Sequence, residues 1–297
     1  MGNSKKYLNP AILSKIDNMA LRAKLVVEGY LVGKHKSPYH GFSVEFAEHR
    51  TYGQGDEIKH IDWKLYGKTD RYYVKRFEEE TNLRSYILLD TSKSMSYKSK
   101  NITKLKYGES LTAGLTHLMI NQKDAVGLIL FDDSIRKYIP PKTSKSHKNI
   151  IFNSLSKCRA GKNTNIQLIL DSMAERIKKS GLVILISDLL DDPINVMKGL
   201  NHFRHNKQEV IVFHLIDKQE FNFTFNERTR FTDMETGETI TTDPWHIQSS
   251  YQDKIKLFIN KYKKECGEQK IDYVPVFTDQ GFELALSEYI RKRHKSN

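Results

Sequence analysis

Hydrophobic and polar positions divide the chain near residue 80. Beyond that point, short runs of consecutive apolar residues alternate with longer stretches whose apolar positions recur at helical spacing. Residues 85–90 (SYILLD) and 124–131 (DAVGLILF) read as buried strands, and 182–187, 210–216 and 271–277 as further strands. Residues 104–122, 146–155, 166–178, 194–203, 251–265 and 282–291 read as helices between or after them. Residues 135–139 read as a short strand ended by Pro140 and Pro141. Apolar strands joined by helices imply an α/β fold, a doubly wound and mostly parallel sheet covered on both faces. Residues 217–250 interrupt this rhythm with Phe/Thr alternation and a turn at Glu235-Thr236-Gly237-Glu238, which predicts a β-hairpin-like insertion.

Upstream, residues 11–28 carry apolar side chains at helical spacing, while 29–67 are rich in Gly, His, Tyr and charge and read as turns with short extended pieces. Residues 72–77 alternate weakly, as a strand does. This part is too small and polar to hold a core of its own. The expected organisation is therefore a helix plus extended arm over residues 1–82, lying against a larger domain over 83–297. The expected anchors of the arm are Phe42, Phe46, Tyr52, Trp63 and Phe77.

Composition narrows the class. With 38% hydrophobic residues, 14 Phe and 15 Tyr, the 297-residue chain buries a substantial core and is not disordered. Lys and Arg number 48 against 36 Asp and Glu, a net charge of +12, which suits an acidic partner without naming one. The longest apolar runs are strand-sized, and Met-Gly-Asn-Ser-Lys-Lys has Lys6 where a myristoylation signal has Ser or Thr, so a cytoplasmic protein without a membrane span is expected. Cys158 and Cys266 form no CxxC and imply no disulfide framework.

Ligands of doubly wound sheets bind outside the carboxyl ends of the strands. The first strand ends in Asp90-Thr91-Ser92-Lys93-Ser94, the 182–187 strand runs into Ser187-Asp188, and the loop before the 166–178 helix holds Gly161-Lys162-Asn163-Thr164. Hydroxyl and carboxylate oxygens thus gather on one predicted edge, a donor set that suits a hard cation such as Mg²⁺, with Mn²⁺ as a substitute.

Asp90-x-Ser92-x-Ser94, Thr164 and Asp188, in that order and context, resemble the metal-ion-dependent adhesion site of von Willebrand factor A domains, over residues 83–297. That resemblance implies that Asp90, Ser92, Ser94, Thr164 and Asp188 hold the metal and that a partner's carboxylate completes its coordination. A second resemblance covers the upstream part. Gly41-Phe42-Ser43-x-Glu45-Phe46-x-Glu48-x-Arg50-x-Tyr52, Gly55-Asp56-x-Ile58-x-x-Ile61-Asp62-Trp63 and Val74-Lys75-x-Phe77-Glu78-Glu79-Glu80 are similar to the domain of unknown function fifty-eight family. Membership there implies a partner or adaptor of a MoxR-type AAA+ ATPase, in chaperone-like maturation or assembly of other proteins. Many relatives carry N-terminal membrane helices; this sequence has none.

Enzyme readings fail on particular residues. A haloacid-dehalogenase phosphatase needs a carboxylate two residues after its nucleophile, where this chain has Ser92. Gly33-Lys34-His35 and Gly161-Lys162-Asn163 both miss the P-loop pattern, and no GxSxG elbow occurs. Asp56, Glu57, Lys59, Asp62 and Lys64 mix charges as metal-dependent nucleases do, but read more simply as a turn paired with Arg50, Lys59 or Arg71. His202 and His205 lack a second ligand pair for zinc. The lysines and arginines are dispersed and accompany no nucleic-acid-binding motif. No nucleophile with a base and no closely paired acid is assignable. The reading is a non-enzymatic, metal-dependent protein-recognition module, with a basic nucleic-acid binder or nuclease as the alternative.

Overall fold

A computed structural model describes residues 9–34, 49–51, 53, 63–75, 83–99, 102–161, 165–225, 227–233 and 237–295. Its centre is a six-stranded sheet built from β3 (Arg84–Asp90), β4 (Ala125–Phe131), β5 (Ile135–Lys142), β6 (Leu182–Ser187), β7 (Glu209–Ile216) and β10 (Asp272–Phe277). The spatial order is β10-β7-β6-β3-β4-β5, all parallel except β5, which runs antiparallel to β4. Two smaller antiparallel pairs accompany it: β1 (His49–Thr51) with β2 (Tyr73–Lys75), and the hairpin β8 (Thr229–Thr232) with β9 (Thr239–Thr242).

The strands read as continuous apolar runs because each face of the sheet is covered. Ile87, Leu89, Ile184, Ile186, Ile211 and Phe213 point into one cluster with α2 (Met19–Lys34), α4 (Lys104–Asn121), α5 (Lys145–Ser156) and α10 (Glu283–Lys295). The alternate residues Leu88, Val183, Leu185, Val210 and Val212 point into a second cluster with α6 (Ile166–Arg176), α7 (Pro193–His205) and α9 (Pro244–Glu268). Strand period two therefore feeds two cores at once.

The N-terminal helices belong to the first core. After α1 (Pro10–Leu13) the chain breaks and re-enters as α2, so the single helix expected over 11–28 is two. The buried Arg22 spans the break, donating to the Ser14 and Ile16 carbonyls, and lies 3.9 Å from the buried Glu109 of α4. Gly114 lets α2 come close: a Cβ there would stand 2.6 Å from Val26 Cγ1.

Several local expectations change. β5 runs through Pro140 and Pro141 to Lys142, because edge position and register shifts against β4 remove the need for their amide hydrogens. Residues 63–67, expected among turns, form the start of α3 (Trp63–Thr69). Trp63 is 59% exposed and meets Tyr66 edge-on, while Tyr66 stacks on Tyr72, so this aromatic group packs on itself instead of anchoring the arm. Phe42, Phe46, Tyr52 and Phe77 lie outside the described residues, as do Asp56, Glu57, Lys59 and Asp62. The insertion contains α8 (Lys218–Asn222) as well as the hairpin, and α9 begins at Pro244, earlier than the apolar spacing suggested, because proline suits a first helical turn.

Candidate metal centre

The order β6-β3-β4 makes the carboxyl end of β3 the switch point: the chain leaves β3 for β4 on one side and later returns to lay β6 on the other. In open α/β sheets such a point is where ligands bind. Thr91 extends the ladder beyond Asp90, its N–H and Oγ1 both donating to the Phe131 carbonyl at 2.7 and 2.8 Å. The Thr91 carbonyl in turn accepts from Gly161 N–H at 2.7 Å. That contact ties the loop leading to Thr164 to the end of β3. A Cβ at Gly161 would displace the ends of the Asp132 and Arg136 side chains, which pair with each other beside it.

Asp90, Ser92, Ser94, Ser187 and Asp188 are all buried. Asp90 Oδ1 accepts from Ser92 N–H at 2.8 Å, and Oδ2 from the Ser187 hydroxyl at 2.6 Å. The Ser92 and Ser94 hydroxyl oxygens lie 3.0 Å apart. The two hydroxyls are hydrogen-bonded to each other, and the same spacing is also that of adjacent corners of an octahedron with bonds of about 2.1 Å, so it is compatible with Mg²⁺. Burial, with the neighbouring negative charge of Asp188, pushes the Asp90 carboxyl up to about 7. A cation between the two carboxylates would relieve both costs, and the donor set fits one. Thr164 and Lys162 lie outside the described residues, while Lys93 and Lys98 are exposed beside the site.

Asp90 and Asp188 were both named from the sequence, but sequence reasoning did not find that their charges act on each other in a buried setting. It also missed Lys104. This side chain is 1% exposed, and its Nζ lies 2.7 Å from Asp188 Oδ2 and 3.1 Å from Glu220 Oε1. Burial opposes its charge, but Asp188 and Glu220 overcome that and hold the ammonium above the usual lysine range. Burial raises Glu220 above the usual carboxylate range, with Lys104 opposing. Two further features brace the rim. Leu189, directly after Asp188, is buried with φ of 53°, an uncommon backbone for a branched residue, and its N–H donates to Ser187 Oγ at 2.9 Å. Asp217 Oδ2 accepts from both Ser99 N–H and Ser99 Oγ, joining the β3 loop to the start of α8.

Elsewhere, His202 Nδ1 lies 2.8 Å from Asp171 Oδ1, and Cys158 and Cys266 are buried free thiols. Among the described residues no group of three or more His, Cys, Asp or Glu is placed to hold a metal, and no helix is long and apolar enough to cross a membrane.

Sheet order, helical layers and switch-point loops define a doubly wound α/β domain with a mostly parallel six-stranded sheet. The chain belongs to the family described as "Protein of unknown function DUF58", whose sequence profile matches residues 48–256. An uncharacterized protein of Mycobacterium tuberculosis and one of Mycobacterium bovis are each 21% identical over 215 residues, covering 71% of this chain and 67% of theirs. Among solved structures, the conserved hypothetical protein BatB from Bacteroides thetaiotaomicron is similar at 17% identity and a TM-score of 0.44, over 72% of this chain and 99% of that one. The SpRpn10 VWA domain is similar at 10% identity and a TM-score of 0.41, over 68% and 93%.

Proposed function

We propose that the chain is a non-enzymatic recognition module that binds a partner protein through a divalent cation. Asp90, Ser92, Ser94, Thr164 and Asp188 would hold Mg²⁺, or Mn²⁺ in its place, directly or through water. The observation that carries this reading is the gathering of buried Asp90, Ser92, Ser94 and Asp188 at the carboxyl ends of β3 and β6. Neutral hydroxyl donors leave the cation electrophilic, and it attracts a carboxylate from outside. Exposed Lys93 and Lys98 favour an acidic approach. The partner we propose is a MoxR-type AAA+ ATPase, or an acidic client presented with it during chaperone-like maturation.

The test has two parts. Titration calorimetry with MgCl₂ should give a binding isotherm for the wild-type chain and none for Asp90→Ala, with circular dichroism showing the fold retained. Affinity capture with and without EDTA should then recover the partner only with metal present. Equal Mg²⁺ affinity of the two proteins sinks the site assignment. Capture of nucleic acid that is lost at high salt and indifferent to EDTA favours the basic-binder alternative.

A further inference from the structure

Lys104 occupies the first position of α4, where Thr103 caps the helix by accepting from Lys106 N–H at 3.1 Å. A cation is disfavoured at a helix N-terminus, because the macrodipole is positive there. Burying it adds a further cost. The placement is accounted for by its two acceptors, which come from distant parts of the chain: Asp188 follows β6, and Glu220 lies in α8 after β7. One acceptor belongs to the candidate metal centre and the other does not.

We infer that Lys104 is a built-in competitor of the metal, a tethered ammonium that neutralises Asp188 while the divalent cation is absent and shifts onto Glu220 when it arrives. The inference rests on the metal reading above and adds its regulation. Lys104 Nζ already lies within ion-pairing distance of both carboxylates, so the exchange needs a change of emphasis between existing partners and no new path through the core. Glu220 is one-quarter exposed and sits on α8, the element that leads into the hairpin insertion. Anything that seats on α8 and neutralises or displaces Glu220 returns Lys104 to Asp188. The cation is then held weakly by the free protein. A partner that supplies one more carboxylate to the metal tips the balance toward occupancy, which makes metal and partner binding mutually reinforcing.

The test compares wild type with Lys104→Met and with the double variant Lys104→Met/Glu220→Gln. The double variant removes one positive and one negative charge, so the formal charge of the site is unchanged. Mn²⁺ binding is read from the loss of the free-ion electron paramagnetic resonance signal, and Mg²⁺ binding by calorimetry, after circular dichroism has shown each protein folded. Both variants should bind Mn²⁺ about tenfold or more tightly than wild type. Should Lys104→Met fail to fold, the double variant decides alone. Affinity equal to or weaker than wild type in the folded variant overturns the inference and makes Lys104 a positioning residue for Asp188. If wild type and both variants bind neither ion at millimolar concentration, the metal reading itself falls and takes this inference with it.

Discussion

At the scale of single residues, buried charge shapes this molecule most. Asp124, fully buried, pairs its Oδ1 with Arg293 Nη2 at 3.1 Å and accepts from Tyr289 OH at 3.3 Å. Burial raises its carboxyl to about 6, with Arg293 opposing. The folded protein thus holds this proton more tightly than the unfolded chain. Its contribution to stability is greatest below about pH 4 and is lost as pH rises toward 6. Wild type should lose up to about 3 kcal/mol more than Asp124→Asn between pH 4 and pH 7, because a tenfold change in proton affinity is worth about 1.4 kcal/mol. Urea denaturation at the two pH values measures the difference. Parallel profiles for the two proteins would contradict it.

At the scale of elements, the contact between α2 and α4 ties the N-terminal segment to the sheet. Gly114→Ala gains about 1 kcal/mol of helix propensity, yet its methyl meets Val26, and such overpacking costs about 1–3 kcal/mol. A net loss of stability is expected, partly restored in Val26→Ala/Gly114→Ala, with a coupling of about 1 kcal/mol or more in the double-mutant cycle. Additive effects in urea melts would show that the helices do not meet as described. Arg22→Met tests the same junction by another route. Glu109 would keep Lys106 at 2.7 Å but lose the guanidinium, and a destabilisation of about 1–3 kcal/mol is expected in the same assay.

Elements also show which parts of the fold were legible in the sequence. The four inner parallel strands were, because both faces are buried and the apolar runs are nearly unbroken; β10, at the edge and broken by Pro275, was read from its Val and aromatic residues. α3 was not, since its aromatics pack on one another and leave no periodic stripe toward a core. The continuation of β5 through two prolines was not, since it depends on β5 having, among the described residues, a neighbour on one side only. The candidate centre divides the same way. Asp90, Ser92, Ser94 and Asp188 follow apolar runs and can be read in order. Lys104 and Glu220 are 116 residues apart, and only the folded chain brings them together.

At the scale of the whole molecule, a ligand that binds the folded state alone raises its stability by mass action. Mg²⁺ at ten times its Kd should add about 1.4 kcal/mol, a rise of a few degrees in Tm. Asp90→Ala should show no such rise, and thermal scans with and without MgCl₂ compare the two directly. An equal rise in both would place the stabilising ion elsewhere on a chain of net charge +12.

The outermost strands have a consequence for company. A parallel sheet invites growth, because each free edge offers a ladder of unused amides and carbonyls to any passing strand. In this molecule the β5 border carries Pro140 and Pro141 in succession and the β10 border carries Pro275, so each border lacks part of the amide ladder a neighbour would need. Sideways polymerisation, the ordinary hazard of such a sheet at high concentration, is blunted at both borders. A contact made at the loop ends, as proposed for the metal centre, would not require the sheet itself to be extended.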